Sequence, residues 1–321
     1  MTLFVVYRGV TRSCPGWFCA RRLFLDFFQF NQNRRVERAV DASQKWFEKS
    51  RDILDLALIM LIAAWLSLAM SIAWAVQRTT SMSGWIDTIW CFAIGGGSWI
   101  AALYADGDIA RRIAVFAMIS AWALRLGGHI GSRTRAFGED PRYAKLIADW
   151  GDRAAWRLFL FLQIQAFTAL ILVLSVYFAA TKATHFPDLF DSIAMLTATI
   201  GLVGEAVSDA QLARFRKTSQ AKTEICEIGL WRYSRHPNYF FEWLFWCSWP
   251  LLALSPLPWS WLSMLAPLLM YWLLVHVSGI PPLEEHMLRS RGEKFRALQA
   301  RVNAFFPGPR KSDPAHQGKQ S

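Results

Sequence analysis

Residues 158–181 form a run of 24 residues without one charged side chain. As a helix this run is about 36 Å long at 1.5 Å per residue, enough to cross a hydrocarbon core of about 30 Å. The pattern recurs along the chain. Residues 56–76 are 21 uncharged residues, and 85–104 make a second run. A third lies at about 111–126, and a fifth at 188–207. The last apolar stretch is far too long for one crossing. Ser255-Pro256-Leu257-Pro258 breaks it into two helices, about 238–254 and 259–279. Charged residues are 18% of the chain. A soluble domain carries roughly 25%, and the deficit here is concentrated in the apolar runs. The expected fold is all-α, a multi-pass transmembrane bundle of about seven spans with a cytosolic C-terminal amphipathic helix.

Details of the runs sharpen this reading. The third run is short, so Arg111, Arg112 and Arg125 are expected to snorkel to the two interfaces. Gly95, Gly96 and Gly97 lie inside the second run. A dinucleotide fingerprint needs a strand before it and a helix after it. Within a spanning helix the glycines read as a close-packing surface. Pro281 and Pro282 are expected to precede an amphipathic helix over 283–302, with Leu288, Phe295, Leu298 and Val302 on one face. The tail from Gly308 is expected to be disordered.

The formal net charge is +11, yet no nucleic-acid motif accompanies it. The Lys and Arg sit between the apolar runs, as expected for orientation by the positive-inside rule and contact with anionic lipid. The basic stretches 125–157, 208–237 and the C-terminal helix share one side in a seven-span arrangement. That side is expected to face the cytoplasm, with the basic N-terminal stretch 34–51 left on the other side. The five cysteines include no CxxC pair, and no His lies at metal-ligand spacing, so neither a disulfide framework nor a metal site is supported. Residues 1–52 form an extension of unassigned role, because Arg21, Arg22 and Asp26 interrupt its apolar part. Residues 53–307 form the membrane domain, with a ligand-binding half at about 110–307, and 308–321 form the tail.

Three polar clusters interrupt the apolar pattern. The first is RLGGHIGSRTRAFGEDPRY, with Arg125, His129, Arg133, Glu139, Asp140, Arg142 and Tyr143. The second is GEAVSDAQLARFRKT, with Glu205, Asp209, Gln211 and Arg216. Asp209 and Arg216 lie seven residues apart and share one helix face. The third is GLWRYSRHPNYFFE, with Arg232, Arg235, His236, Asn238, Tyr239 and Glu242. Ionisable groups at the mouth of a membrane segment mark a functional site by default. Charge bias alone accounts for the Lys and Arg, but not for Asp209, Asn238 and Glu242. A phosphate-bearing cofactor would use both sets: Arg binds phosphate bidentately, while carboxylates and Asn accept from hydroxyls or an amide. His236 is read as shaping the Pro237 turn, and Glu205 as pairing with a neighbouring Arg.

These motifs, in this order, resemble the steroid 5-alpha-reductase-like membrane proteins, specifically the bacterial DUF1295 branch. The resemblance covers about residues 110–308. It rests on Arg125, His129, Arg133 with GEDPRY, on Asp209 with Arg216, on GLWRYSRHPNYFFE, and on SGIPPLEEHML followed by a basic helix and FFP. It implies an NADPH-dependent reductase of carbon–carbon double bonds conjugated to a carbonyl in steroid-like or other lipid substrates. Asp209, Arg216, Asn238 and Glu242 match cofactor-binding positions. Arg133 and Arg235 are taken with them, and Tyr239 is the candidate catalytic hydrogen-bond donor. Phe241 stands where the steroid reductases have Gly, and their substrate-binding tyrosine and glutamate have no match here. The branch implies a bacterial inner membrane. A rival resemblance is to the membrane isoprenylcysteine and phospholipid methyltransferases, through the RHPNY turn and Glu284-Glu285, with S-adenosylmethionine as cofactor. A non-catalytic lipid-binding protein is the third reading.

Overall fold

A computed structural model describes residues 54–255 and 258–311. The expected extension and the end of the expected tail, 312–321, lie outside these residues. Every regular element among the described residues is helical. In chain order they are α1 (Leu54–Thr80), α2 (Trp85–Tyr104), α3 (Ile109–Phe137), α4 (Pro141–Trp150), α5 (Ala154–Ala180), α6 (Leu189–Arg216) and α7 (Pro237–Ala253). Then follow α8 (Leu265–Trp272), continued by a π-helical turn, α9 (Ile280–Arg291) and α10 (Glu293–Arg301). Among the described residues, six stretches are long and apolar enough to cross a membrane: α1, α2, α3, α4 with α5, α6, and Trp259–Arg291 around α8. The 17-residue α7 is shorter, about 25 Å. With it the bundle reaches the expected seven.

Local chemistry sets the helix ends. Asp108 caps α3 by accepting from the N–H groups of Ala110 and Arg111. Asp140 caps α4, where Pro141 occupies the first turn and needs no N–H partner. Asp188 and Asp191 form a reciprocal capping box at the start of α6. Gly292, at φ +49, ends α9 in the left-handed region, so the single expected helix over 283–302 is two helices. It also begins earlier, with Pro281 and Pro282 inside its first turn. Phe295, Leu298 and Val302 form the expected apolar face, against Ile225, Met287 and Leu288.

Glycine lets the helices approach. A β-carbon on Gly95 would lie 2.9 Å from the Ala123 side chain, so the glycine run is a packing surface between α2 and its neighbours. On α6, a β-carbon on Gly201 would sit 2.8 Å from Phe245 N and 2.9 Å from Phe241 O. The ring of Phe241 occupies the space beside Gly204. The α6–α7 contact is therefore backbone-close.

The snorkelling expectation for three arginines is corrected. Arg111 does not snorkel. It is fully buried and donates to Asp191 (2.5 Å) and to the carbonyls of Lys182 (2.5 Å) and Thr184 (2.7 Å). Lys182 joins it on Asp191 (3.2 Å). Arg112 turns back to the carbonyls of Ala102 and Leu103, at the end of α2. Arg125 likewise stays inside the bundle. Each has acceptors within the protein. Residues 308–311 are tied down, Gly308 N to Tyr233 O (3.0 Å) and Lys311 N to Arg301 O (2.9 Å).

Candidate functional site

α3 does not end at 126 but runs through the first cluster to Phe137, and α6 runs unbroken through the second to Arg216. Their polar ends therefore meet the start of α7 at one end of the bundle. Arg125 of α3 forms ion pairs with both Glu205 and Asp209 of α6. Asn238, in the first turn of α7, donates from Nδ2 to Asp209 Oδ1 (3.3 Å). His129 Nε2 lies 3.8 Å from Asp209 Oδ2 and is partly exposed. Asp209 is thus held from α3 and α7 at once. Although Arg216 shares its helix face, Asp209 makes no ion pair with it among the described residues. Arg216 is exposed, forms no ion pair among the described residues, and feels the like charge of Arg133.

One turn further along α7, Glu242 is buried. Trp122 Nε1 donates to both of its oxygens (3.0 and 2.9 Å), and Trp246 Nε1 to Oε1 (2.9 Å). The two indoles pack edge-to-face, with ring centroids 5.2 Å apart. Neither tryptophan was singled out in the sequence. The available signal is position: interfacial Trp sits at helix ends, whereas Trp122 lies in mid-run and Trp246 is four residues from Glu242.

A second lobe joins the ends of α2 to α5. Arg142 donates to Asp87 (2.5 Å) and to Asp140 (2.9 Å), and Arg133 also reaches Asp140 (3.1 Å). Tyr143 donates to Asp87 (2.6 Å) and accepts from Gln165 (3.0 Å). Burial pushes the Asp140 carboxyl up, but the bonds and charge of Arg142 outweigh it and hold Asp140 below the usual carboxylate range. Asp87 carried no role in the sequence reading. Tyr239 follows Asn238 in the first turn of α7. Its ring stacks on His236 at 5.6 Å.

Arg235 points elsewhere. It donates to Glu284 (2.7 Å) and to the carbonyls of Gln299 (3.3 Å) and Val302. His236 Nε2 and Gln299 meet the same carboxylate at 3.2 and 2.7 Å. Glu285 pairs with Lys145 (3.0 Å) and Arg289. The structure thus joins Asp209 to Asn238 one turn from Glu242, places Arg133 in the second lobe with Asp140, Tyr239 on His236 and Arg216 on the exposed end of α6, and puts Arg235 in the dock of α9 and α10.

A family model described as a protein of unknown function, DUF1295, matches residues 73–302. The chain belongs to the DUF1295 family. No curated protein and no solved structure matches it significantly. The DUF1295 match begins within α1 and closes just after α10, so every residue of both lobes and of the dock falls inside it.

Proposed function

We propose that this DUF1295 chain is a membrane-embedded, NADPH-dependent reductase of a carbon–carbon double bond conjugated to a carbonyl in a steroid-like or other lipid substrate. The observation that carries the reading is the Asp209–Asn238 contact at the meeting of three polar helix ends. Asn238 Oδ1 is buried there with no partner among the described residues, an acceptor that a ligand N–H or O–H would satisfy. Arg133 near the end of α3 and Arg216 at the end of α6 supply two guanidinium groups of the kind that bind phosphate. This donor and acceptor set fits a dinucleotide.

In this reading Arg133 and Arg216 hold phosphate, and Asp209 and Asn238 accept from hydroxyl or amide groups. Glu242, fixed by two indoles, forms the polar floor. NADPH, when bound, supplies a hydride for the β-carbon of an enone. Tyr239 presents an O–H that can stabilise negative charge developing on the substrate oxygen. Arg235 acts at a distance, by fixing the turn before Asn238 to α9 and α10.

The test is thermal stabilisation of the detergent-purified protein by NADPH, NADH and S-adenosylmethionine in parallel. A ligand that binds only the folded state adds about 2.7 kcal/mol at a hundredfold excess over its Kd. Stabilisation by NADPH alone is expected. Stabilisation by S-adenosylmethionine alone replaces the reading with the methyltransferase, and none by any ligand moves it to a lipid-binding protein.

A further inference from the structure

At the end of the bundle away from the polar lobes, the close of α2 and the start of α3 border a groove of about 150 Å³. Ala102 and Leu103 of α2 line it, with Ile109, Arg112, Ile113 and Phe116 of α3. The four α3 residues share one helix face and extend about 10 Å along it. Leu103, Ile109 and Ile113 are 66%, 64% and 63% exposed. Trp99, one turn deeper on α2, closes the inner end. Its ring stacks on Phe116 with centroids 5.4 Å apart, and its Nε1 donates to Ser120 Oγ (2.9 Å).

An apolar face on a spanning helix needs only fluid lipid chains against it. Arg112 sets this groove apart. Its Nε donates to Ala102 O (2.8 Å) and its Nη2 to Leu103 O (2.5 Å), both among the last carbonyls of α2. These acceptors are neutral. Among the described residues the guanidinium has no carboxylate partner, and its Nη1 makes no hydrogen bond. The bond to Leu103 is exposed, so the charged head stands at the open end of the groove while the aliphatic stem forms part of its wall. A cation without a counter-charge, at the rim of an apolar slot and in the first turn of a spanning helix, matches a phosphate that carries an acyl chain. The adjoining connection holds Asp106 and Asp108, and Asp108 accepts from the N–H groups of Ala110 and Arg111. These acids offset any broad positive potential at this end. They suit a headgroup that bears its own cation beside the phosphate.

We infer that this groove binds one zwitterionic phospholipid from the surrounding leaflet. One acyl chain lies along Leu103, Ile113 and Phe116, the phosphate accepts from Arg112, and the ammonium group sits beside Asp106 and Asp108. Arg112 then serves two partners, closing the end of α2 with one edge of its guanidinium and holding the phosphate with the other. The bound lipid ties the α2–α3 connection to the plane of the membrane. The groove and the polar lobes lie at opposite ends of α3, so the inference is independent of the cofactor reading.

Native mass spectrometry of the delipidated, detergent-purified chain tests the site, with dioleoyl phosphatidylethanolamine, dioleoyl phosphatidylglycerol and dioleoylglycerol as probes. The wild-type chain should retain one phosphatidylethanolamine, about tenfold or more tighter than dioleoylglycerol, which has the same chains and no phosphate. Arg112→Gln keeps a donor for the α2 carbonyls and removes the charge, so it should lose that preference. Ile113→Trp fills the groove and keeps Arg112, so it should lose the bound lipid. Retention of no lipid by the wild-type chain, or equal retention of dioleoylglycerol, overturns the inference whether or not the variants fold. An unchanged preference in folded Arg112→Gln, or an unchanged bound lipid in folded Ile113→Trp, overturns it as well. A preference for phosphatidylglycerol replaces it with a general attraction to anionic lipid.

Discussion

Asp209 is held from two helices, by the Arg125 guanidinium and by the Asn238 amide. A side chain fixed in this way presents its charge in one place without reorganisation. Asp209→Ala and Asn238→Ala should each weaken NADPH affinity about tenfold or more, as loss of one hydrogen bond to a charged group does. The fold should survive, because both side chains lie at the polar end and not in the apolar core. Unchanged affinity in both well-folded variants would remove the assignment. His236 carries a different expectation. Burial pushes its imidazole down, against the raising effect of the Glu284 bond, so the folded chain keeps it neutral. The unfolded chain takes up a proton near the ordinary value of about 6.5. Stability from this residue is therefore complete above that pH and declines as pH falls below it. Thermal melts across pH 8 to 5 should show the decline, and His236→Gln should flatten it.

At the level of elements, the backbone-close α6–α7 contact positions Asn238 and Glu242 against Asp209. Gly201→Leu would force side-chain atoms against the backbone of Phe241 and Phe245, which cannot rotate away. Overpacking of this kind costs about 1–3 kcal/mol, and here it should also shift α7 and weaken NADPH binding. Gly128→Ala is the matched control, since nothing lies within 4 Å of its added carbon, and its melt should not fall. The other end of α6 makes a separate prediction. Asp191 is fully buried between Arg111 and Lys182, so Asp191→Asn leaves the buried Arg111 without its counter-charge, while Lys182 keeps Asp188. Removing one partner of a buried ion pair typically costs about 3–5 kcal/mol. The melt should fall steeply while the NADPH affinity of the folded fraction is unchanged, because Asp191 sits at the far end of α6 from Asp209. At the α6–α7 contact, Gly204 on α6 leaves room for the Phe241 ring.

Across the whole molecule, what the sequence could show depended on range. The apolar runs, the glycine packing surface and the amphipathic face of α10 follow from local periodicity, and the bundle has all three. The seven-residue spacing of Asp209 and Arg216 correctly implied one helix, but their partners come from elsewhere in the chain. Arg125 is 84 residues from Asp209, and Trp122 is 120 from Glu242. No local pattern encodes those separations. The same holds for Arg111, since a charge at the end of an apolar run looks interfacial until Asp191 arrives 80 residues later. One global feature does combine both kinds of information. The end of the bundle bearing the site carries Arg142, Lys145, Arg153, Lys217, Lys222, Arg232, Arg289, Arg291 and Lys294 in its connections and docked helices. At the opposite end, Lys182 is the one Lys or Arg in residues 105–108 and 181–188, and it is buried on Asp188 and Asp191. Arg111 and Arg112, in the first turn of α3, are bound to acceptors there. Lys and Arg in the connections near helix ends resist translocation, and they are far more numerous at the site end, so that end should face the cytoplasm. An exposed position such as Arg289 can report this after replacement by cysteine in a chain whose native cysteines are serine. A membrane-impermeant thiol reagent should label Arg289→Cys in inverted inner-membrane vesicles and not in spheroplasts. Labelling in spheroplasts would place the site on the outer face, where cytoplasmic NADPH cannot reach it, and would remove the reductase reading together with the orientation.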